Sequence, residues 1–348
     1  MIYVGIDEAG YGPILGPLVV TAARFSTSEA AANSGFSILG ARSLQALGVA
    51  DSKKAYASRQ LRRLELPVLA FLKMAGIVPE DTASLLAVLG ASIESSFPWY
   101  RDLSARLPVQ TDPAEIAELA GRIHDEMDRT GCRFEGFVCR LIAEDAFNRS
   151  IGRLGSKSLL LFEACAGLVR ECLAAAPRAS ILLDHHGSRV RHTALLRLFF
   201  GESRIETLCE SANESAYRLS GAEREKLEDG RTTGVRAGEQ QAMGVEDKPR
   251  DRSSEANGQE SGGAARLASV HMRFVVKADA LYPEVSLASM CSKYVRELIM
   301  KGFNSYWQER WPSLPRTSGY YSDGTAFLGE LRALDPSCPF LAEMIRRR

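Results

Sequence analysis

Tyr3-Val-Gly-Ile-Asp-Glu-Ala-Gly-Tyr-Gly-Pro-Ile-Leu-Gly-Pro17 is the stretch on which the fold turns. Its opening apolar run reads as a short buried strand that stops at Asp7 and Glu8. Gly10, Gly12, Pro13, Gly16 and Pro17 then mark a turn, and residues 18–25 read as a second strand. Two strands joined this closely suggest an antiparallel hairpin with an acidic pair at one end. The same ending recurs twice: the strand expected over 180–183 finishes on Asp184, and the one over 270–277 runs into Ala278 and Asp279. An aspartate after a strand is by itself an ordinary turn former or helix cap. Three strands that all finish on acid are a different matter, because chemistry in α/β sheets collects where strands end.

Around this frame the apolar spacing predicts helices over 61–74, 79–93 and 113–127, the last capped by Thr111-Asp112. A strand is expected over 134–142 and a long helix over 158–175, which Pro177 breaks. A further helix follows over 285–302. From 221 to 266 the composition shifts to Gly, Glu, Arg, Asp, Ser and Gln without periodicity, and such a stretch buries too little apolar surface to offset its ordering entropy. A disordered insertion is expected there. The rest, 1–220 and 267–348, is expected to form one catalytic α/β domain with a helical insertion at about 75–130.

The chain of 348 residues, 45% hydrophobic, is long enough to bury a full core. Lysine plus arginine equals aspartate plus glutamate at 43 each, so any surface for nucleic acid is a local patch, not a global field. The seven cysteines are scattered, with no zinc-ligand spacing, and read as reduced thiols. No leader and no membrane-spanning run is read, and a cytoplasmic protein is expected.

Were Asp7, Glu8, Asp184 and Asp279 to converge, their like charges would repel, and hard divalent cations are the usual means of holding such a cluster. Mg2+ or Mn2+ is the expected cofactor, acting as a pair in phosphodiester hydrolysis. No GxSxG elbow, cysteine and histidine pair or Walker A loop offers a competing chemistry. His185 and His186 follow Asp184 and would either assist the site or simply face solvent.

The residues from Gly5 to Pro17 resemble the opening signature of the ribonuclease HII family, and Asp51-Ser-Lys-Lys54 resembles its DSKK segment. Leu182-Leu-Asp184 is similar to the strand with the third carboxylate. Val276-Lys-Ala-Asp279-Ala-Leu-Tyr-Pro-Glu-Val-Ser-Leu-Ala-Ser289, continuing to Lys293 and Arg296, resembles the archaeal and eukaryotic version, and Ser318-Gly-Tyr-Tyr-Ser-Asp323 resembles its SGYPSD element. The resemblance implies an RNase H-like fold, a mixed sheet flanked by helices. It further implies cleavage of RNA in RNA-DNA hybrids, or of ribonucleotides in duplex DNA, as in DNA repair, with no obligate protein partner and no membrane. It makes Asp7, Glu8, Asp184 and Asp279 the catalytic and metal-binding residues. Gly10, Tyr11, Gly12 and Tyr320 would read the ribose 2′-OH, and Ser52, Lys53 and Lys54 would contact phosphates. Lys293 and Arg296 would also meet phosphate or solvate the exposed face of their helix.

Two substitutions depart from the family pattern. Tyr11 stands where the glycine turn usually carries arginine, and Tyr321 where proline follows the tyrosine. A basic or aromatic C-terminal tail is not recognised after Pro339. The alternatives are a non-catalytic nucleic-acid-binding relative, against which the retained carboxylates argue, and an interaction protein using the 221–266 segment. A 3′ exonuclease would open on DxE, not on adjacent Asp7 and Glu8.

Overall fold

The computed structural model describes residues 1–27, 48–49, 60–176, 178–185, 190–221 and 269–347. The expected hairpin is present as β1 (Ile2–Ala9) and β2 (Leu18–Thr27), paired antiparallel. Next come α1 (Arg62–Met74), α2 (Thr82–Val88), α3 (Pro113–Thr130), β3 (Cys132–Ile142), α4 (Glu144–Leu154), α5 (Lys157–Ala175) and β4 (Arg178–Asp184). They are followed by α6 (Thr193–Phe199), β5 (Ser203–Glu210), β6 (Glu214–Gly221), β7 (Ser269–Val275), α7 (Ala278–Leu281), α8 (Pro283–Arg310) and α9 (Tyr321–Leu334). One seven-stranded sheet runs in the order β3-β2-β1-β4-β7-β6-β5. Its centre, β1-β4-β7, is parallel, while β2, β3, β6 and β5 pair antiparallel outside it. This is the mixed α/β sheet with flanking helices that the resemblance implied.

Successive strand residues face opposite sides of the sheet. In β1, Tyr3 joins the core beneath α1, α3 and α8, whereas Val4 and Ile6 join the core beneath α5. Gly5 faces α8, and a Cβ there would sit 2.2 Å from the carbonyl carbon of Glu284, so only glycine lets the start of α8 lie this close to β1. By the same alternation Asp7 faces α8, and Asp184 shares that side with Leu182, which packs on Val285.

Several elements differ in extent from expectation. β1 does not stop at the acidic pair but carries Asp7 and Glu8 within it, opposite Thr21 and Val20. The helix expected over 79–93 is confined to Thr82–Val88, started by an Asp81 and Ser84 capping box and stopped where Gly90 takes a positive φ of 64°. α3 begins as expected, with Asp112 accepting from the Ala114 N–H at 2.8 Å, and ends at Gly131 in the left-handed region. α8 extends well past 302, to Arg310.

Glu65 ties the outer helices to this frame. Its buried carboxylate accepts from the N–H groups of Val109, Gln110 and Thr111 at 2.6, 2.7 and 2.8 Å, and from the Tyr294 hydroxyl at 2.8 Å. Among the described residues no helix is long and apolar enough to cross a membrane. Gly221 closes β6, and the remainder of the 221–266 segment lies outside the described residues.

Candidate active site

Because β1 and β4 are parallel and Ile6 pairs with Leu183, the next residues, Asp7 and Asp184, fall side by side at the carboxyl ends of the two strands. Asp7 is 6% exposed. Burial first, then the charge of Glu8, with Asp184 also contributing, pushes its carboxyl well above the usual aspartate range, against an opposing hydrogen bond from Ser289. The Ser292 hydroxyl donates to the Asp7 carbonyl at 3.0 Å, so α8 grips this position through two serines. Asp184 accepts from the Ala278 N–H at 2.9 Å, which fixes it to the short α7. Lys277, just before, holds the left-handed conformation with φ 57° and turns the chain sharply into that helix.

Asp7, Glu8 and Asp184 line a cleft of about 760 Å3, together with Gly10, Tyr11, Gly12 and Tyr320. Cations rim the same cleft, including Lys293, Lys301 and Arg316. Asp279 is 3% exposed and does not line it; it sits one residue past the N–H that holds Asp184, and its own carbonyl accepts from the Ser286 hydroxyl. Ser52, Lys53, Lys54 and His186 lie outside the described residues. His185 is half-buried and donates its backbone N–H to Val275 at 3.0 Å.

The structure corrects one reading made from sequence. Arg296 is not on an exposed helix face: it is 2% exposed and donates to the carbonyls of Leu15 at 3.3 Å and Ser318 at 2.8 Å. Arg346, near the C-terminal end, is likewise buried and runs under the glycine-rich turn, donating to the carbonyls of Tyr11 and Gly16 at 3.2 and 3.4 Å. Nothing in local periodicity marks either arginine as internal. The loop around Ser318 completes the wall: the Ile14 and Leu15 N–H groups donate to the Gly319 carbonyl at 2.8 and 3.2 Å. A Cβ on Gly319 would strike that strand-linking turn at 2.3 Å from the Leu15 oxygen. Asp323 accepts from the Ser318 N–H and hydroxyl at 2.6 Å each, and although burial works against it, these bonds hold its carboxyl below the usual range. Tyr320 and Tyr321 stay 51% and 61% exposed.

The donor chemistry suits a hard cation: oxygen ligands only, with like charges held together at Asp7. Among the described residues, however, no three or more His, Cys, Asp or Glu side chains are gathered into a group able to hold a metal ion.

Fold and site together define an α/β protein with an acidic cleft at the carboxyl ends of adjacent parallel strands. Over residues 4–76 the chain matches the protein-family model described as Ribonuclease HII, which bears out the resemblance of its opening signature. Solved structures give distant likenesses. The structure of the PCNA:RNase HII complex from Archaeoglobus fulgidus is 17% identical, at a TM-score of 0.44, covering 99% of this chain and 92% of that one. Ribonuclease H2 from Pyrococcus horikoshii OT3 is 15% identical at a TM-score of 0.41, covering 100% and 93%. Bst-RNase HIII in complex with Mn2+ is 13% identical at 0.42, covering 99% and 66%. No curated protein matches the chain.

Proposed function

We propose that the protein is a metal-dependent endoribonuclease that hydrolyses the RNA strand of RNA-DNA hybrids or ribonucleotides embedded in duplex DNA. The observation that carries the reading is the juxtaposition of Asp7, Glu8 and Asp184 with a glycine turn and a cationic rim in one cleft. The family match over residues 4–76 supports it. Asp7, Glu8, Asp184 and Asp279 would hold Mg2+ or Mn2+, which supplies Lewis acidity at the scissile phosphate in a two-ion hydrolysis. Lys293, Lys301 and Arg316 attract the phosphate chain into the cleft. Gly10, Tyr11 and Gly12 come close to the sugar edge, where a 2′-OH distinguishes RNA from DNA, and the exposed Tyr320 ring packs on that sugar. Tyr11 offers a ring and a hydroxyl where an arginine would offer a bidentate fork, so phosphate contact at this turn falls to the rim.

A second reading, a non-catalytic nucleic-acid-binding relative, is favoured by one observation: Asp279 is buried, 3% exposed, and stands outside the lining of the cleft that Asp7, Glu8 and Asp184 share. Cleavage of labelled duplexes separates the two. The duplexes are a continuous RNA-DNA hybrid, a DNA duplex with one ribonucleotide, and all-DNA, each with Mg2+ or Mn2+ and with chelator. Metal-dependent cutting of either ribose-containing duplex establishes the nuclease, and binding without cutting establishes the relative.

A further inference from the structure

The glycine-rich turn is not held by the strands that flank it alone. The chain's last described residues pass underneath it, and Arg346, 2% exposed, points its guanidinium into the concave side. Nη1 donates to the carbonyls of Gly10 and Gly16 and Nη2 to that of Tyr11, while the Arg346 N–H donates to Ile14 at 2.9 Å. The guanidinium lies 3.9 Å over the Phe147 ring. Glu144, fully buried, provides the counter-charge and takes the Gly16 N–H at 3.0 Å and the Tyr100 hydroxyl at 2.7 Å. Asn148 secures the tail itself, donating to the carbonyls of Glu343 and Ile345 at 2.9 Å each and accepting from the Arg347 N–H at 2.7 Å. Burial first, then the nearby Arg296, lowers the Arg346 pKa to about 10, which leaves it charged at neutral pH.

A trans peptide points its C=O and the following N–H in opposite directions. Where the Gly10 and Tyr11 carbonyls are drawn down to Arg346, the Tyr11 and Gly12 N–H groups are turned away from it, and Tyr11 and Gly12 line the cleft. We propose that Arg346 is a positioning residue for substrate reading: by pulling the Gly10, Tyr11 and Gly16 carbonyls inward it aims the Tyr11 and Gly12 N–H groups at the sugar-phosphate chain. What those groups read rests on the hydrolase reading above; the clamp does not. Arginine suits the task because its planar fork reaches several acceptors at once, whereas a lysine ammonium is a single point charge. Asp7 and Glu8 are held by antiparallel pairing with Thr21 and Val20 of β2, and Asp7 also by the serines of α8, so the clamp acts on binding and discrimination and leaves the chemical step nearly alone.

The test uses the full chain and three variants: Arg346→Ala, Arg346→Lys and Asn148→Ala. Arg346→Ala is expected to speed amide exchange at Tyr11 and Gly12 while the β1 and β2 amides stay protected. On the one-ribonucleotide duplex its KM is expected to rise about 10-fold, with kcat changed by less than about 3-fold, the signature of lost binding energy and not lost chemistry. Arg346→Lys is expected to fold and to keep most of the KM defect. Should Arg346→Ala not fold, Asn148→Ala, which loosens the tail without removing the guanidinium, is expected to show the same pattern at smaller size. Unchanged exchange at the turn, a defect confined to kcat, or full rescue by lysine overturns the proposal. If the unaltered protein cuts no duplex, the hydrolase reading falls, and turn exchange in the variants still decides the clamp.

Discussion

Asp7 carries its charge against its surroundings, since burial, Glu8 and Asp184 all favour its protonated form. A folded-state pKa raised above the ordinary 3.8 means that the folded protein holds this proton more tightly than the unfolded chain. The stability tied to Asp7 is therefore complete below about 3.8 and is lost as pH rises through the raised value. Asp7→Asn removes that loss. In chelator at neutral pH the variant is expected to melt above the unaltered protein, with the gap closing in acid, whereas with Mg2+ present its cleavage is expected to be nearly abolished. Melting curves across pH with a parallel cleavage assay check this, and a variant less stable at neutral pH would remove the strain from Asp7. That Asp7 and Asp184 stand near the carboxyl ends of strands was legible in the sequence because apolar runs give way to charge there, although β1 itself runs on to Ala9. Arg296 and Arg346 were not, because a buried arginine satisfied by backbone carbonyls leaves no periodic trace in the residues around it.

At the scale of elements, the packing of α8 on β1 sets where Ser289 and Ser292 meet Asp7. Gly5→Ala would drive a Cβ to 2.2 Å from the Glu284 backbone, and backbone cannot rotate aside as a side chain can. A loss of about 1–3 kcal/mol in urea denaturation is expected, together with reduced cleavage as α8 shifts. Glu65→Ala would leave three N–H groups and the Tyr294 hydroxyl without their acceptor, and a cost of about 3 kcal/mol or more is expected by the same measurement. Wild-type stability in either variant would show that the contacts are replaceable. Helices with an apolar stripe and clear caps, such as α3, could be read in advance. α4 could not, because Glu144, Asp145 and Asn148 are buried on it and break the apolar pattern. β5 could not either, since nearly all of it is exposed and it owes its extended form to pairing with β6.

For the molecule as a whole, β6 and β7 are antiparallel neighbours with Leu219 opposite Val270, so the chain leaves and re-enters the sheet at adjacent points. Replacing residues 224–266 by a short glycine-containing turn is therefore expected to preserve folding and cleavage, since each halving of a loop changes its closure cost by only about 0.6 kcal/mol. Circular dichroism and the duplex assay check it; an unfolded product would show that the segment contributes more than a connection. The sheet order also leaves β5 at the outer edge, remote in the strand sequence from β1. Six of the seven thiols are buried, and burial pushes Cys139 up to about 12 and Cys172 up to about 11, with Cys165 and Cys291 raised as well. Cys209, on β5, is the exposed one. A maleimide dye added to the folded protein should thus label a single native position, giving an optical handle at the far edge of the sheet with no engineered cysteine.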